Sequence, residues 1–397
     1  MKMAGCRLVC WVALFCGLSV ASKMAAAETV PGPSLSRAAA SEPSPSNFRS
    51  SEDGWFDISG FIDQTFGFVP LVIPITEPAV GLGGVAALAF IDKPKNDAAA
   101  GFGRPNLTVV GGLATENGTK GAMAGDIRHW LDDRVKTMVG VINVSVNLDY
   151  YGIGRESALE RKPQTYNLET LAGVAGVQYR LGDTRAWVGV SYALADTTVA
   201  FDVLPMASSL PNFQRDSRVG GITPSFSYDS RDNIFTPTSG EYLDISAGLF
   251  SKALGSDTDF QRVSLTAIQY LPMNSKLTLG ILGSAMFSFG EVPFYLRPFV
   301  YFRGVPAMQY QGESTAQLEA EVRWQFWQRF SLVGFAGAGA AWNNFERLDN
   351  KKDVTAAGIG VRYELARKYG MHMGIDVAYG PDGPAYYIQF GSAWMRP

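Results

Sequence analysis

The chain has 397 residues, of which 47% are hydrophobic and 18% charged, and its formal net charge is −3. This slightly acidic balance argues against a nucleic-acid partner. Beyond residue 27, no apolar run reaches the roughly twenty residues that a membrane-spanning helix needs, and the longest runs, 79–91 and 330–342, are interrupted by glycine. A helical membrane protein is therefore excluded.

Residues 1–27 have the features of a signal peptide. Lys2 and Arg7 give a basic start, residues 8–21 form a short apolar run, and three alanines end the segment. The pattern predicts export and cleavage after Ala27, and an uncleaved amphipathic anchor is the alternative. All three cysteines lie in this segment, so we expect no disulfide and no cysteine-bound metal in the mature chain. Cleavage would remove three cationic residues and no acidic residue, which changes the formal net charge from −3 to −6.

Two further segments precede the main domain. Residues 28–50 are rich in Ser, Pro and Ala, a composition that predicts a disordered periplasmic leader. Residues 51–67 combine aromatic and acidic side chains, among them Trp55, Phe56 and Asp57. We expect this segment to form a short amphipathic helix at the periplasmic mouth of the main domain, or an irregular linker.

In the main domain, 68–397, apolar and polar residues alternate with a period of two, as membrane-spanning β-strands require. The apolar face is Leu277, Leu279, Ile281, Ala285, Phe287 and Phe289 in 276–290, Met138, Ile142, Val144, Val146 and Leu148 in 135–149, and Leu318, Ala320, Val322, Trp324 and Phe326 in 317–326. We expect each apolar face to meet lipid. The opposite faces should line a wet lumen, where charges such as Glu319, Glu321 and Arg323 can be accommodated.

Turn signals divide this domain into about sixteen strands, an even number as in single-chain bacterial barrels. The expected spans are 68–76, 79–91, 104–116, 120–131, 134–149, 165–181, 184–203, 218–230, 240–252, 258–271, 275–290, 315–328, 330–343, 353–366, 369–380 and 385–395. The connections 131–134, 181–184, 272–275 and 327–329 are short and fall on the periplasmic side, whereas 150–164, 204–217, 291–314 and 344–352 are longer and fall outside.

The sequence therefore predicts an all-β fold, a transmembrane antiparallel β-barrel with short periplasmic turns and longer extracellular loops. A soluble β-sandwich or lipocalin-like barrel would also alternate. Two observations argue against it: the alternation continues over about 330 residues, and tryptophans concentrate near strand ends as interfacial girdles do.

Four stretches of this domain resemble motifs of the BamA/TamA family of outer-membrane proteins, also called bacterial surface antigens. They are 75–83, which resembles the hairpin opening the family's barrel; 151–154, similar to a loop start; 228–233 with Pro237 and Gly240, which resembles a periplasmic turn; and 293–295 with 302–305, which resembles the long sixth extracellular loop. They occur in family order and spacing, and the resemblance covers nearly everything after residue 68. It identifies the periplasmic turn motif as Asp229, Arg231, Asp232, Pro237 and Gly240.

The resemblance implies that Arg303 and Gly304 fold back into the barrel lumen. A guanidinium confined there needs an acidic acceptor, because its withdrawal from water is costly unless it is paired. Glu321 is the expected partner and Glu319 the second candidate, and a solvated loop arginine is the alternative. Relatives often carry an inward Asp on the following strand, where this chain has Gly337, so half of the expected clamp is predicted to be absent.

The two ends of the barrel also bear on function. Tyr386, Ile388, Phe390 and Trp394 share one face of the last strand and resemble the C-terminal signal that the barrel assembly machinery reads; a lipid-facing last strand is the plain alternative. The resemblance further implies periplasmic POTRA domains of about seventy to eighty residues each before the barrel. Only about forty residues separate position 27 from the barrel, so we expect no such platform for capturing substrates.

His129 and His372 are the chain's histidines, and neither lies in a metal or triad motif, so we expect no enzyme activity and no cofactor. The first hypothesis is a barrel in the outer membrane of a Gram-negative-type bacterium that assists insertion or translocation of envelope proteins or lipids, through the seam between its first and last strands. Its expected partners are the lipid bilayer, the barrel assembly machinery during biogenesis, and an envelope-protein or lipid client. The second hypothesis is a passive porin-like or structural protein.

Overall fold

The computed structural model describes residues 48–64, 67–92, 106–152, 159, 162–201, 216–343 and 351–395. The predicted signal peptide, 1–27, and the predicted leader up to residue 47 lie outside these ranges. Most of the long loops expected at 150–164, 204–217 and 344–352 lie outside them as well.

Sixteen strands form one antiparallel sheet in which neighbours along the chain are neighbours in the sheet. This nearly closed barrel confirms the predicted fold class. In chain order the elements are α1 (Ser59–Gln64), β1 (Gly67–Glu77), β2 (Gly81–Asp92), β3 (Asn106–Thr115), β4 (Lys120–Trp130), β5 (Val135–Tyr150), β6 (Gln164–Arg180), β7 (Ala186–Phe201), β8 (Asp216–Asp229), β9 (Gly240–Phe250), β10 (Phe260–Asn274), β11 (Leu277–Gly290), β12 (Ser314–Trp327), β13 (Phe330–Trp342), β14 (Lys352–Ala366), β15 (Met371–Gly380) and β16 (Gly383–Phe390). No helix in the described ranges is long and apolar enough to cross a membrane.

The strand β12 shows how the wall separates lipid from the lumen. Leu318, Val322 and Trp324 are exposed on the outer surface, whereas Glu319 and Glu321 are buried inside. Successive side chains of a strand point to opposite faces, so one segment supplies both surfaces. The orientation predicted for this strand is confirmed.

The orientation predicted for β5 is wrong. Its apolar residues, among them Ile142, Val144 and Leu148, are buried inside the barrel, and Asn143 lies on the outer surface. One reason is that the connection between β11 and β12 fills the extracellular half of the lumen with apolar side chains, so that half of the interior is not wet. The other is length: β5 has 16 residues, more than the roughly nine to eleven that cross a bilayer, so its extracellular end projects into water.

The last strand is shorter than predicted. It ends at Phe390 instead of continuing to residue 395, because Gly391 adopts a φ of 72° and turns the chain into the lumen. Trp394 is only 3% exposed there, with its ring centroid 6.1 Å from that of Tyr270. The prediction that Trp394 shares an outer face with Tyr386 is therefore wrong, since alternation holds only while the strand continues.

Candidate functional site

The connection between β11 and β12, residues 291–313, folds into the barrel, and we call it the lumen loop. Its apolar residues Phe294, Leu296 and Met308 are buried against the inner faces of the first strands. The ring centroid of Phe294 lies 5.1 Å from that of Tyr150 and 5.4 Å from that of Tyr166. Burial of this apolar surface favours the inserted position of the loop independently of any charged contact.

Arg303 of the lumen loop contacts two carboxylates. Its Nη2 lies 2.5 Å from Oε2 of Glu321, and its Nη1 lies 2.7 Å from Oδ2 of Asp376. Its Cζ lies 3.5 Å from the ring centroid of Phe335, which adds a cation–π contact. The structure thus brings Arg303 together with the partner expected from the sequence, Glu321, and with a second acid that the sequence analysis did not name.

The prediction that half of the clamp is absent is wrong. The second carboxylate belongs to β15: Asp376 accepts hydrogen bonds from Arg303 and from Arg362, whose Nη2 lies 2.8 Å from Oδ2. A Cβ at Gly337 would lie 3.0 Å from the ring of Phe302, so the lumen loop itself occupies the space where an acid was expected. Two guanidiniums and two carboxylates form a neutral group, as burial of charge requires.

Gly304 allows the lumen loop to approach the barrel wall. It adopts a φ of 92°, and a Cβ there would lie 2.9 Å from Cβ of Ala356 and 3.2 Å from Cβ of Ala378. Its N–H donates a hydrogen bond to the hydroxyl of Tyr387 on β16, at 2.9 Å. Any other residue would push the loop away from this contact.

Glu319, the second candidate partner of Arg303, accepts a hydrogen bond from Trp394, with Nε1 3.0 Å from Oε2. The hydroxyls of Tyr270 and Ser392 lie 2.9 Å apart. The residues that follow β16 are therefore held inside the periplasmic half of the barrel by side-chain contacts.

The periplasmic turn motif shapes the connection between β8 and β9. The carboxylate of Asp229 accepts two hydrogen bonds from the guanidinium of Arg231, with Nε at 2.8 Å and Nη2 at 2.9 Å. Oδ1 of Asp232 accepts the backbone N–H groups of Thr238 and Ser239, at 2.9 and 3.2 Å. These contacts close the turn on itself at the end of β8.

The same turn also reaches across the periplasmic opening. The carbonyl of Pro237 accepts a hydrogen bond from Arg323 of β12 at 2.7 Å, and Asn233 donates to the carbonyl of Tyr369 at 2.8 Å. Gly240, with a φ of 94°, begins β9. The turn therefore connects β8 and β9 to strands on the other side of the barrel.

The barrel closes between β1 and β16, and we call this junction the seam. Neighbouring strands elsewhere pair through backbone ladders, such as the one between β15 and β16, whereas the described residues show no ladder at the seam. The backbone N–H of Ile388 donates instead to the side-chain Oγ1 of Thr76, at 3.3 Å. Since β16 ends at Phe390, the described residues place no strand beside the periplasmic half of β1, where Val72 is 79% exposed.

Backbone parity places two prolines on the edge of β1 that faces the seam. Alternate residues of an antiparallel strand direct their N–H and C=O groups to opposite neighbours. The carbonyl of Leu82 accepts from the N–H of Glu116, so even-numbered residues of β2 bond to β3, and odd-numbered ones bond to β1. Even residues of β2 lie opposite even residues of β1, and Pro70 and Pro74 therefore point to the seam. Neither has an N–H to donate.

The lumen loop contacts both sides of the seam. On β1, the carboxylate of Glu77 accepts from the hydroxyl of Tyr301 at 3.3 Å and from the N–H of Ala307 at 3.2 Å. On β16, Tyr387 accepts from the N–H of Gly304 at 2.9 Å. The loop thus connects, from inside, two strands that no described ladder joins.

A cluster at the periplasmic rim binds the N-terminal segment, and we call it the clasp. Arg329, in the turn between β12 and β13, is 1% exposed, and its Nε lies 2.6 Å from Oδ2 of Asp53. Its Nη1 lies 2.8 Å from Oδ2 of Asp57. Sequence analysis missed this cluster because Asp53 and Arg329 are 276 residues apart along the chain.

We expect the clasp to hold at about pH 4 and to open as the pH falls to about 2. The hydrogen bond from Arg329 lowers the pKa of Asp53 from 3.8 to about 2. Because the folded-state pKa is the lower one, the contact contributes its full stability above about pH 4 and loses it as the pH falls through about 2. Pepsin should therefore cut within 48–64 at pH 2 and spare it at pH 4, whereas Arg329→Ala should be cut at both. Equal cutting of the unsubstituted chain at both pH values would contradict this.

The two histidines lie on different strands, His129 on β4 and His372 on β15. Among the described residues, no group of three or more His, Cys, Asp or Glu side chains is arranged to hold a metal ion. The acidic side chains near Arg303 are instead paired with arginines.

Residues 145–368, more than half of the chain, match the Omp85 superfamily domain. Among solved structures, the fold is similar to BamA from Haemophilus ducreyi lacking POTRA domains 1–3, with 14% identity and a TM-score of 0.55, covering 87% of this chain and 80% of that one. No protein of curated function matches the sequence.

Two further structures share the fold. CdiB from Acinetobacter baumannii is 8% identical with a TM-score of 0.53, covering 84% of this chain and 66% of that one. CdiB from Escherichia coli is 11% identical with a TM-score of 0.55, covering 86% of this chain and 65% of that one. This chain therefore spans about two thirds of either CdiB chain, and at such identities the likeness concerns the barrel fold.

Proposed function

This chain belongs to the Omp85 superfamily of outer-membrane β-barrels, and on that premise we propose that it assists the insertion or translocation of envelope proteins or lipids through its seam. The observation that carries the proposal is that β1 and β16 meet without a described backbone ladder. Unpaired backbone groups are costly in lipid. An edge left free there is suited to pairing with another extended segment, as in β-strand addition.

The edge of β1 determines how such a segment can bind. Its seam-facing residues all keep their carbonyls, but Pro70 and Pro74 lack the N–H groups that Val72 and Thr76 retain. A backbone hydrogen bond contributes about 0.5–1.5 kcal/mol, so two absent donors weaken the pairing by about 1–3 kcal/mol. An edge of this kind can hold a client strand and also release it.

The lumen loop provides a means of control. Through Glu77 and Tyr387 it contacts both strands of the seam from inside the barrel. Withdrawal of the loop would remove these contacts together, and the seam could then open. The alternative, a passive porin-like or structural barrel, is less well supported because the loop occupies the lumen that a steady wide pore would need.

We propose further that the protein is exported in a Gram-negative-type bacterium by means of residues 1–27. During biogenesis the barrel assembly machinery would read the outer residues of the last strand, Tyr386, Ile388 and Phe390. In the folded barrel Trp394 lies in the lumen and no longer shares a face with these residues. The client is an envelope protein or a lipid.

A disulfide across the seam tests the proposal. The chain's cysteines all lie in residues 1–27, so Thr76→Cys with Ile388→Cys gives a mature chain with one engineered pair. Purified in proteoliposomes, the reduced form should accelerate folding of an unfolded outer-membrane barrel protein, and the oxidised form should lose most of that effect. Oxidation prevents the seam from opening and leaves the lumen loop in place.

A matched control uses the same position on β16. Ile375 lies directly opposite Ile388 in the ladder between β15 and β16, so Ile375→Cys with Ile388→Cys forms a bond within the paired wall. Its oxidation should leave the activity unchanged. Full activity of the oxidised seam pair would exclude the seam as the route, and a reduced chain that never accelerates folding would favour the passive barrel.

A further inference from the structure

Three phenylalanines of the N-terminal segment form one exposed aromatic surface. Phe48, Phe56 and Phe61 are 47%, 51% and 38% exposed. The ring of Phe48 stacks on Phe56 with centroids 6.3 Å apart and on Phe61 with centroids 5.7 Å apart. We call these residues the phenylalanine face. Stacked rings that remain exposed on a folded segment are suited to an apolar surface outside the protein.

The segment that carries this face is fixed to the barrel. Arg49 and Phe56 form a β-bridge, and the N–H of Ile58 donates to the carbonyl of Leu365 at 3.0 Å. The clasp adds the contacts of Arg329 with Asp53 and Asp57 of the segment. The phenylalanine face therefore has a defined position relative to the wall of the barrel.

That position adjoins aromatic side chains on the outer surface of the wall, Trp327, Phe330 and Tyr363, which we call the aromatic belt. Trp55 packs edge-on against Trp327 and Phe330, with centroids 5.4 and 5.9 Å apart. The hydroxyl of Tyr363 donates to the carbonyl of Phe56 at 2.6 Å. Tryptophan and tyrosine side chains of barrels gather where the hydrocarbon meets the headgroups. The short turn between β12 and β13 assigns this end of the wall to the periplasmic side.

We propose that the phenylalanine face inserts into the periplasmic leaflet of the outer membrane, so that residues 48–64 form an interfacial anchor. Continuity with the belt through Trp55 is what selects lipid as the partner over a second copy of the chain. The polar side of the segment, with Glu52 72% exposed in its side chain, faces water. An apolar face and an acidic face on one short segment are typical of structures that lie in the plane of the interface.

The anchor also fixes the start of the first strand. The helix α1 follows directly from the contact with β14 and leads to β1. Along the circumference of the barrel, β14 and β1 are separated by β15 and β16. The distance from β14 to β1 is therefore about 14 Å at the usual strand spacing. The anchor would thus hold the entry of β1 at the membrane surface beside the seam. This inference goes beyond the proposed insertion activity and does not depend on it.

Spin labels on single cysteines test the proposal. Phe56→Cys and Phe61→Cys are labelled in the full chain in vesicles of phosphatidylcholine and phosphatidylglycerol, with Glu52→Cys as the water-facing control. At both phenylalanine positions the collision rate with oxygen, which concentrates in lipid, should exceed that with a water-soluble nickel complex several-fold. At Glu52→Cys the order should be reversed.

Two results would overturn the proposal. One is a label at positions 56 and 61 that meets the nickel complex as often as the label at Glu52→Cys does. The other is dipolar broadening that grows with protein density in the vesicles, which would assign the face to a second copy of the chain. A gel shift on heating confirms that each labelled variant is folded.

Discussion

Replacing Asp376 with alanine should release the lumen loop and sharply reduce the yield of folded barrel. Asp376 compensates the buried guanidiniums of Arg303 and Arg362. Removing one partner of a buried ion pair costs about 3–5 kcal/mol, because the remaining charge is left without compensation. Here two cations would remain with Glu321. The readouts are the folded fraction in unheated gels and the rate of trypsin cleavage after Arg303, which Gly304 follows.

A surface pair of similar geometry is the control. Asp196 and Arg218 lie 2.6 Å apart, with side chains 52% and 56% exposed. Exposed pairs contribute little because water and salt screen them, so Asp196→Ala should leave folding and protease resistance unchanged. Equal behaviour of the two variants would show that the buried group does not hold the loop. Asp376→Asn, which keeps the volume and removes the charge, should be intermediate.

The alternation of residue types predicted the number and order of the strands, but it did not predict which face of β5 points inward. Period two identifies two faces and does not say which is lipid-exposed. The assumption that polar means lumen holds for β12, where Glu321 faces Arg303. It fails for β5, where Val144 and Val146 meet the apolar part of the lumen loop. Besides the length of β5, the position of that loop distinguishes the two cases, and the position depends on contacts distant in sequence.

The sequence also did not predict Asp376, the second acid that contacts Arg303. The resemblance implied an acid on the strand after β12, where the ring of Phe302 occupies the space beside Gly337. A signal for Asp376 was present in the sequence, since it alternates with Gly374 and Ala378 on one face of β15. A lone acid between small residues leaves room for a long cationic partner. The clasp gave no such signal, because neither Asp53 nor Arg329 lies in a recognisable motif.

The seam is closed by contacts that differ from those in the rest of the wall. Elsewhere each strand is held by a backbone ladder, whose hydrogen bonds form and break together. At the seam, Pro74 and the early end of β16 prevent such pairing. Instead, the lumen loop contacts the side chains of Glu77 on β1 and Tyr387 on β16, and so joins the two strands near the extracellular end. Individual contacts of this kind can be removed one at a time, so we expect the seam to open without unfolding of the barrel.

Replacing Glu77 with alanine should therefore loosen the seam while the barrel stays folded. The N–H of Ala307 and the hydroxyl of Tyr301 would lose their acceptor, and a buried donor without a partner costs about 1–3 kcal/mol. Because these contacts join the lumen loop to β1, the loss falls on the seam and not on any ladder. In planar bilayers Glu77→Ala should show more frequent conducting openings than the unsubstituted chain.

Tyr301→Phe separates the contribution of the carboxylate from that of its donors. It removes the hydroxyl but leaves Glu77 with the N–H of Ala307, so its openings should be fewer than those of Glu77→Ala. The pair Thr76→Cys and Ile388→Cys can be added to the Glu77→Ala chain. If ions pass through the seam, oxidation of this pair closes their path and should suppress the openings again. Openings that persist after oxidation would place the path in the lumen, and the loop would then control a pore and not the junction of the first and last strands.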